Sequence, residues 1–179
     1  MFLKTWRFIT LVLVALLMGM TWCHVLELPA KMQYPAALYL TLHRTLYVAF
    51  GPPNIGALVE VGAILAAAGL VFLVRQRRLA LWLTLLGTVC LAAGLAVYFV
   101  YVDPANVALK GMALEAPPVG WKAWRLQWEF GHAAHFVLHL IGFSMLVLSV
   151  VLETPTRRLT PRPVASDYDL HPASQQSAQ

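Results

Sequence analysis

The sequence predicts an all-α integral membrane fold: a bundle of four transmembrane helices with a short interfacial or re-entrant helix on the extracytoplasmic side. Two observations carry this. Of the 179 residues, 60% are hydrophobic and only 12% are charged, against roughly 25% charged in soluble domains, which leaves too little polar surface to face water. The apolar residues also gather into runs long enough to cross a bilayer, which takes about 20 residues per helix. The runs are 8–28, 55–74, 79–101 and 124–152, so residues 1–153 are read as one membrane domain lodged in a lipid bilayer.

The first run follows Lys4 and Arg7, as a secretory signal would. Its length from Phe8 to Leu28 and the lack of an A-x-A site around Met18 to Cys23 favour a retained helix over a cleaved one. The second run stops at Arg75-Gln76-Arg77-Arg78, which leaves a tight turn before the third. Asp103-Pro104 is expected to break the third, because an interior proline removes a helix hydrogen bond. The fourth exceeds the hydrocarbon thickness at about 1.5 Å per residue, so its first turns should project beyond the membrane.

Charge sets the orientation. Lys4, Arg7, Arg75, Arg77, Arg78, Arg157, Arg158 and Arg162 fall on one side, and Lys31, Arg44, Lys110, Lys122 and Arg125 on the other, a split of eight to five. The positive-inside rule then places both termini in the cytoplasm, with a bacterial inner membrane as the expected setting. The net charge of +5 is accounted for by these flanking clusters. They form no basic stripe interleaved with aromatics, so nucleic acid is not an expected partner. Cys23 and Cys90 fall at different depths, which argues against a disulfide.

Both outward connections carry pattern. From Ala36 to Phe50, Tyr39, His43 and Tyr47 recur every fourth residue beside a row of Leu38, Leu42 and Leu46, the signature of a short helix packed on the bundle. From Val102 to Gly120, two glycines and three prolines read as a cap of irregular backbone. Residues 154–179, rich in Pro, Ser and Gln, are read as a disordered cytoplasmic tail. Gly62, Ala66, Gly69, Gly87, Gly94, Gly131 and Gly142 mark expected helix contacts, since small side chains let backbones approach in lipid.

Ionisable groups inside a span cost about 2.5–3.5 kcal/mol each and so mark function. On the fourth run Trp128, His132, His135 and His139 follow 4, 3, 4 spacing on one helix face. His24 and Glu27 form an i, i+3 pair near the outer end of the first, Glu60 lies about five residues inside the second, and His43 sits on the short outer helix. These groups converge on the outer leaflet. Imidazole with carboxylate suits iron or copper, so His24, Glu27, His132, His135 and His139 are candidate metal ligands. A haem between His24 and His135 is a weaker alternative, because Glu27 and Glu60 fit badly beside an apolar porphyrin. Without any cofactor, Glu60, His24 or His43 could act as acid-base groups on a small aromatic or quinol-like ligand held by Trp124, Trp128 or Tyr47. No nucleophilic triad, phosphate-binding glycine loop or cysteine metal motif occurs in the sequence.

The run from His24 to Met32, Leu46-Tyr47, Gly56 to Glu60, the stretch Trp124 to Trp128 and the histidines of the last run resemble the anthrone-oxygenase-like group of small four-span membrane proteins. The resemblance covers roughly Leu11 to Leu152. It implies a four-helix membrane fold and, for the fungal branch, oxidation of polyphenolic anthrones to anthraquinones by molecular oxygen. It carries His24, Glu27, Glu60, Trp124 and His132 over as site residues and implies no particular cofactor. The triple His132, His135 and His139 is richer in histidine than the group's pattern.

The leading expectation is therefore a membrane-embedded oxidoreductase, an oxygenase of a small aromatic or lipid-soluble substrate. A second, from another class, is a non-enzymatic membrane protein that binds a metal, haem or partner subunit, as a homo- or hetero-oligomer, through the same cluster. A proton channel is disfavoured, because no polar path continues through 140–152 or 65–74.

Overall fold

A computed structural model describes residues 1–154; the expected disordered tail falls almost wholly outside them. Six α-helices follow in order: α1 (Phe2–Lys31), α2 (Ala36–Thr45), α3 (Ile55–Leu73), α4 (Arg78–Val97), α5 (Asp103–Gly111) and α6 (Trp121–Val151). Among the described residues four helical rods are long and apolar enough to span a bilayer: α1, α3, Arg78–Gly111 and α6. The four-helix membrane bundle read from the sequence is thus present. Large side chains such as Phe8, Leu65, Phe72, Trp82, Phe130 and Val137 are exposed around it, as lipid-facing surface requires.

The third rod corrects the sequence reading. It does not stop at Asp103-Pro104 but passes through a π-helical turn, Tyr98–Val102, directly into α5. The Asp103 N–H bonds back five residues to Tyr98 O, which widens the turn just where Pro104 cannot donate. The proline then sits in the first turn of α5, where an N–H is not needed. Only residues 112–120 of the expected irregular cap are irregular. The short outer helix is also shorter than expected, ending at Thr45, with turns from 46 to 54.

Several hydroxyls within the spans are satisfied locally. The hydroxyls of Thr10, Thr88 and Ser144 donate to carbonyls four residues back, at 2.8, 2.8 and 2.7 Å, as lipid demands of any polar atom it surrounds. Where α4 meets α6 the backbones touch. A Cβ on Gly87 would lie 2.9 Å from Gly142 O, and one on Gly142 3.0 Å from Gly87 O, so only glycine permits this crossing. At Gly69 a Cβ would press on the Trp6 ring at 3.0 Å, whose indole N–H donates to Ala66 O at 2.9 Å. Gly62 is no helix contact, since a Cβ there meets nothing within 4 Å.

Arg7 and Arg77 both pair with Glu153, which brings the start of α1, the α3–α4 turn and the end of α6 to one end of the bundle. An apolar core fills that half, with Leu17, Leu70, Leu91 and Leu146 fully buried. At the opposite end Tyr39, Leu40, Val102, Leu109, Trp121 and Trp128 form a second core. On α6, His132, His135 and His139 fall between Trp128 of the second core and Leu146 of the first. Cys23 and Cys90 are both free thiols.

Candidate functional site

Glu60 on α3 and His135 and His139 on α6 are the nearest polar neighbours at mid-bundle. Glu60 Oε1 stands 2.8 Å from His135 Nε2 and 3.8 Å from His139 Nε2, and all three residues are buried. The i, i+4 spacing stacks the two imidazoles one turn apart, with ring centres at 4.1 Å. Gly94 on α4 makes the room. A Cβ there would stand 2.8 Å from His135 Cδ2 and 2.9 Å from His139 Nε2.

The Thr21 hydroxyl on α1 reaches Met18 O at 3.1 Å and His139 Nδ1 at 3.4 Å. His139 Nε2 is buried without a hydrogen-bond partner, 3.8 Å from Glu60 Oε1. Donor atoms of these three side chains all lie within 4.8 Å of one another, close enough to hold a metal ion. Neighbouring ligand atoms around an ion bound at about 2.1 Å are roughly 3–3.5 Å apart, so a small rotamer adjustment closes the set.

Above this group a cavity of about 400 Å³ is lined by α1, α3, α6, the π turn, α5 and the 46–54 turns. Glu60, His135, His24, His132, His43, Tyr47 and Trp128 reach its wall. His24 and His132 stack face to face, with centres 4.0 Å apart and planes 25° apart, and the Trp128 edge or face packs on both at 5.0 and 4.4 Å. Phe50 and Tyr47 close on His24 from the loop side, at 5.4 and 4.8 Å.

His43 is held by Asn106, a residue of α5. The Trp128 indole, which only donates, bonds Asn106 Oδ1 at 2.7 Å and so fixes the amide orientation. His43 Nε2, at 3.0 Å from the same oxygen, must therefore carry the proton. Burial pulls His43 down from the usual 6.5 to about 4, against the opposing effect of the Asn106 hydrogen bond, so the ring is neutral at physiological pH.

Glu27 and Glu129 belong to a different network. Lys31, 3% exposed, places Nζ 2.9 Å from Glu129 Oε2 and 3.6 Å from Glu27 Oε2, and 4.6 Å above the Trp128 ring centre. Tyr39 OH donates to Glu129 Oε1 at 3.0 Å, and Tyr47 OH to Glu27 Oε2 at 2.5 Å. Burial first, then the adjoining carboxylates, push both phenols well above their ordinary pKa, so both stay protonated donors that pin α2 and the following turn onto the bundle.

Of the candidates read from the sequence, the structure brings together Glu60, His135 and His139, and places His24, His132, His43, Tyr47 and Trp128 around the cavity above them. Glu27 is drawn to Lys31 and Tyr47 and stands apart from the metal-capable group. Trp124 is 37% exposed and does not line the cavity. Lys31, Thr21 and Asn106 were missed. Lys31 had a signal, its i, i+4 relation to Glu27, but it counted only as a topology charge beyond Pro29. Thr21 and Asn106 had none, since each acts through a residue distant in sequence. Compared with protein-family models, curated proteins and solved structures, the chain matches none.

Proposed function

We propose that the protein is a membrane-embedded oxidoreductase that acts on a small aromatic or lipid-soluble molecule and uses a transition metal held by Glu60, His135 and His139. The observation that carries this reading is His139 Nε2, buried without a partner and directed at a carboxylate oxygen 3.8 Å away. A buried ring nitrogen without a partner is costly, and an ion held between the two side chains would supply one. Two imidazoles and one carboxylate are the donor set of non-haem iron oxygenases, and such an ion, when bound, supplies the oxygen chemistry that side chains lack. Haem fits less well, since the Glu60 carboxylate beside both imidazoles is ill matched to an apolar porphyrin.

The chain's own residues supply the rest. A cavity of about 400 Å³ falls within the roughly 300–1,000 Å³ of small-molecule sites, and its Trp128, Tyr47 and Phe50 walls suit a flat apolar ligand. The resemblance to the anthrone-oxygenase-like group supports the same reaction class. The eight-to-five division of Lys and Arg supports a cytoplasmic location for the end that holds the termini, so that the cavity lies in the outer leaflet.

Protein purified without added metal, then analysed for elements and by absorption and electron paramagnetic resonance spectroscopy, tests this. About one iron or copper per chain is expected, lost in both Glu60→Ala and His135→Ala. No metal in the purified protein, together with no saturable uptake of Fe(II) or Cu(II), would overturn it. A stoichiometric complex with a second subunit that dissolves in Glu60→Ala would favour an assembly role instead.

A further inference from the structure

The cavity is not walled all round. Val61 on α3 and Phe99 in the π turn both line it, yet they are 47% and 58% exposed, so between them the wall gives way to the outside. Ala57 and Leu95, each one turn away on the same rods, complete the frame. The opening follows from how the third rod packs. A Cβ on Gly131 would stand 2.9 Å from Val102 Cγ2, and Gln127 Nε2 donates to Tyr101 O at 3.0 Å, so the π turn is held close against α6. α3 packs on α1 and α4 but not comparably on the π turn or α5, which leaves a slit where α3 and the third rod part.

The slit faces hydrocarbon. α3 and the rod Arg78–Gly111 are two of the four apolar enough to span a bilayer, and Leu58, Leu65 and Val100 around the slit are exposed. The side chains of Ala57, Val61, Leu95 and Phe99 carry no polar atom, so the passage admits alkyl groups and excludes hydrated ones. Inside, the chamber changes character. Glu60, His135, Asn106 and His43 reach its wall, and a purely apolar occupant would strip these groups of water and give nothing back. A wholly polar occupant would not pass the slit. The carboxylates of Glu60 and Asp103 line the chamber against the single cation Lys110, which favours an uncharged head over an anionic one.

We infer that the chamber takes the uncharged polar head of a membrane-resident amphiphile while its alkyl tail runs out between Val61 and Phe99 into the bilayer. Such a ligand enters sideways and never leaves the membrane, and its tail keeps the apolar surroundings it had in lipid. The head arrives beside Glu60 and His135, and the length of chain beyond the slit is free to vary. This names a substrate class for the oxidoreductase reading and rests on that reading for its purpose. The slit and its occupant are tested without a metal.

The probes are two hexadecanols, one with a diazirine near the hydroxyl and one with it at mid-chain. Each is photolysed with the full-length protein in phosphatidylcholine nanodiscs, and the labelled residues are located by peptide mass spectrometry. The first is expected to label Leu17 and Met20, which line the chamber, and the second Val61 and Phe99. Excess hexadecanol should compete with both, and hexadecane, which has no head, should not. Val61→Trp and Leu95→Trp plug the slit from either side and should each cut chamber labelling at least tenfold. Leu65→Trp, on the lipid face of α3, should leave it unchanged. Protein stripped with a chelator should be labelled as before, so a failed metal reading leaves the slit standing, and failed labelling leaves the metal reading standing. Labelling that hexadecanol does not displace, or that hexadecane displaces equally, would overturn the inference. So would undiminished chamber labelling in both plugged variants, or an equal loss in Leu65→Trp.

Discussion

Glu60 Oε1 and His135 Nε2 meet at 2.8 Å across 75 residues of sequence, and this contact ties α3 to α6 in the middle of the bundle. Removing either partner leaves the other buried and unpaired, at a cost of about 1–3 kcal/mol. Glu60→Gln keeps the volume and a hydrogen bond to His135 but removes the negative charge. It is expected to melt within a few degrees of the wild type yet to bind metal at least tenfold more weakly. Scanning calorimetry beside metal titration checks both halves, and unchanged metal affinity would remove Glu60 from the ligand set.

Thr21 acts through His139. Its hydroxyl lies 3.4 Å from His139 Nδ1, where it can hold the ring with Nε2 toward Glu60. Thr21→Val preserves shape and deletes the hydroxyl, with its contacts to His139 Nδ1 and Met18 O. Outer partners of this kind are typically worth 10–100-fold in metal affinity, and a loss in that range is expected by competition with a chelating dye. An affinity equal to the wild type would show that His139 needs no such orientation.

Gly94 tests the crowding around the same pair. Gly94→Ala puts a methyl group 2.8 Å from His135 Cδ2 and 2.9 Å from His139 Nε2, closer than any carbon contact tolerates, so the two rings must shift. Metal affinity is expected to fall at least tenfold, with a stability loss of about 1–3 kcal/mol. Gly62→Ala, on the outward face of α3 with nothing within 4 Å, serves as the control and should change neither. Equal behaviour of the two variants would contradict the packing described for α4.

What the sequence conveyed follows from which constraints are local. Span positions and the single-face spacing of His132, His135 and His139 are properties of one helix, so hydropathy and periodicity reveal them. Glu60 was legible too, because a carboxylate that deep has few structural explanations. Pairing between helices is not local. His24 and Glu27 look like partners at i, i+3, yet one stacks on His132 and the other answers Lys31, because α6 brings Trp128 and Glu129 against that part of α1. The continuation of the third rod was hidden for a similar reason: Pro104 reads as a stop unless the π turn before it is known. Lys31 reads from the sequence only as a charge on the outer side, because nothing near it in sequence shows the carboxylate of Glu129.

That buried pair makes its own prediction. Lys31 Nζ and Glu129 Oε2 are 2.9 Å apart with almost no exposure, and removing one member of such a pair costs roughly 3–5 kcal/mol by stranding the other. Lys31→Met is expected to be strongly destabilised in detergent. The double variant Lys31→Met, Glu129→Gln should recover most of the loss, since neither group is then charged. A double variant no more stable than the single would show that Lys31 contributes through its contacts with Trp128 and Tyr47 instead.

His43 links the cavity roof to pH. Its pKa in the folded protein, about 4, lies below the ordinary 6.5, so the unfolded chain binds more protons between those values. The stability this group contributes is fully present above pH 6.5 and is lost as pH falls toward 4, by up to about 1.4 kcal/mol per pH unit. His43→Gln carries no titrating group, can still donate to Asn106, and removes that dependence. Thermal midpoints of the two proteins measured from pH 7.5 to 4.5 should run parallel down to about 6.5 and then diverge, the wild type falling faster. Curves that stay parallel throughout would mean that His43 takes up its proton in the folded state as readily as in the unfolded one, and that α2 does not seal it from water.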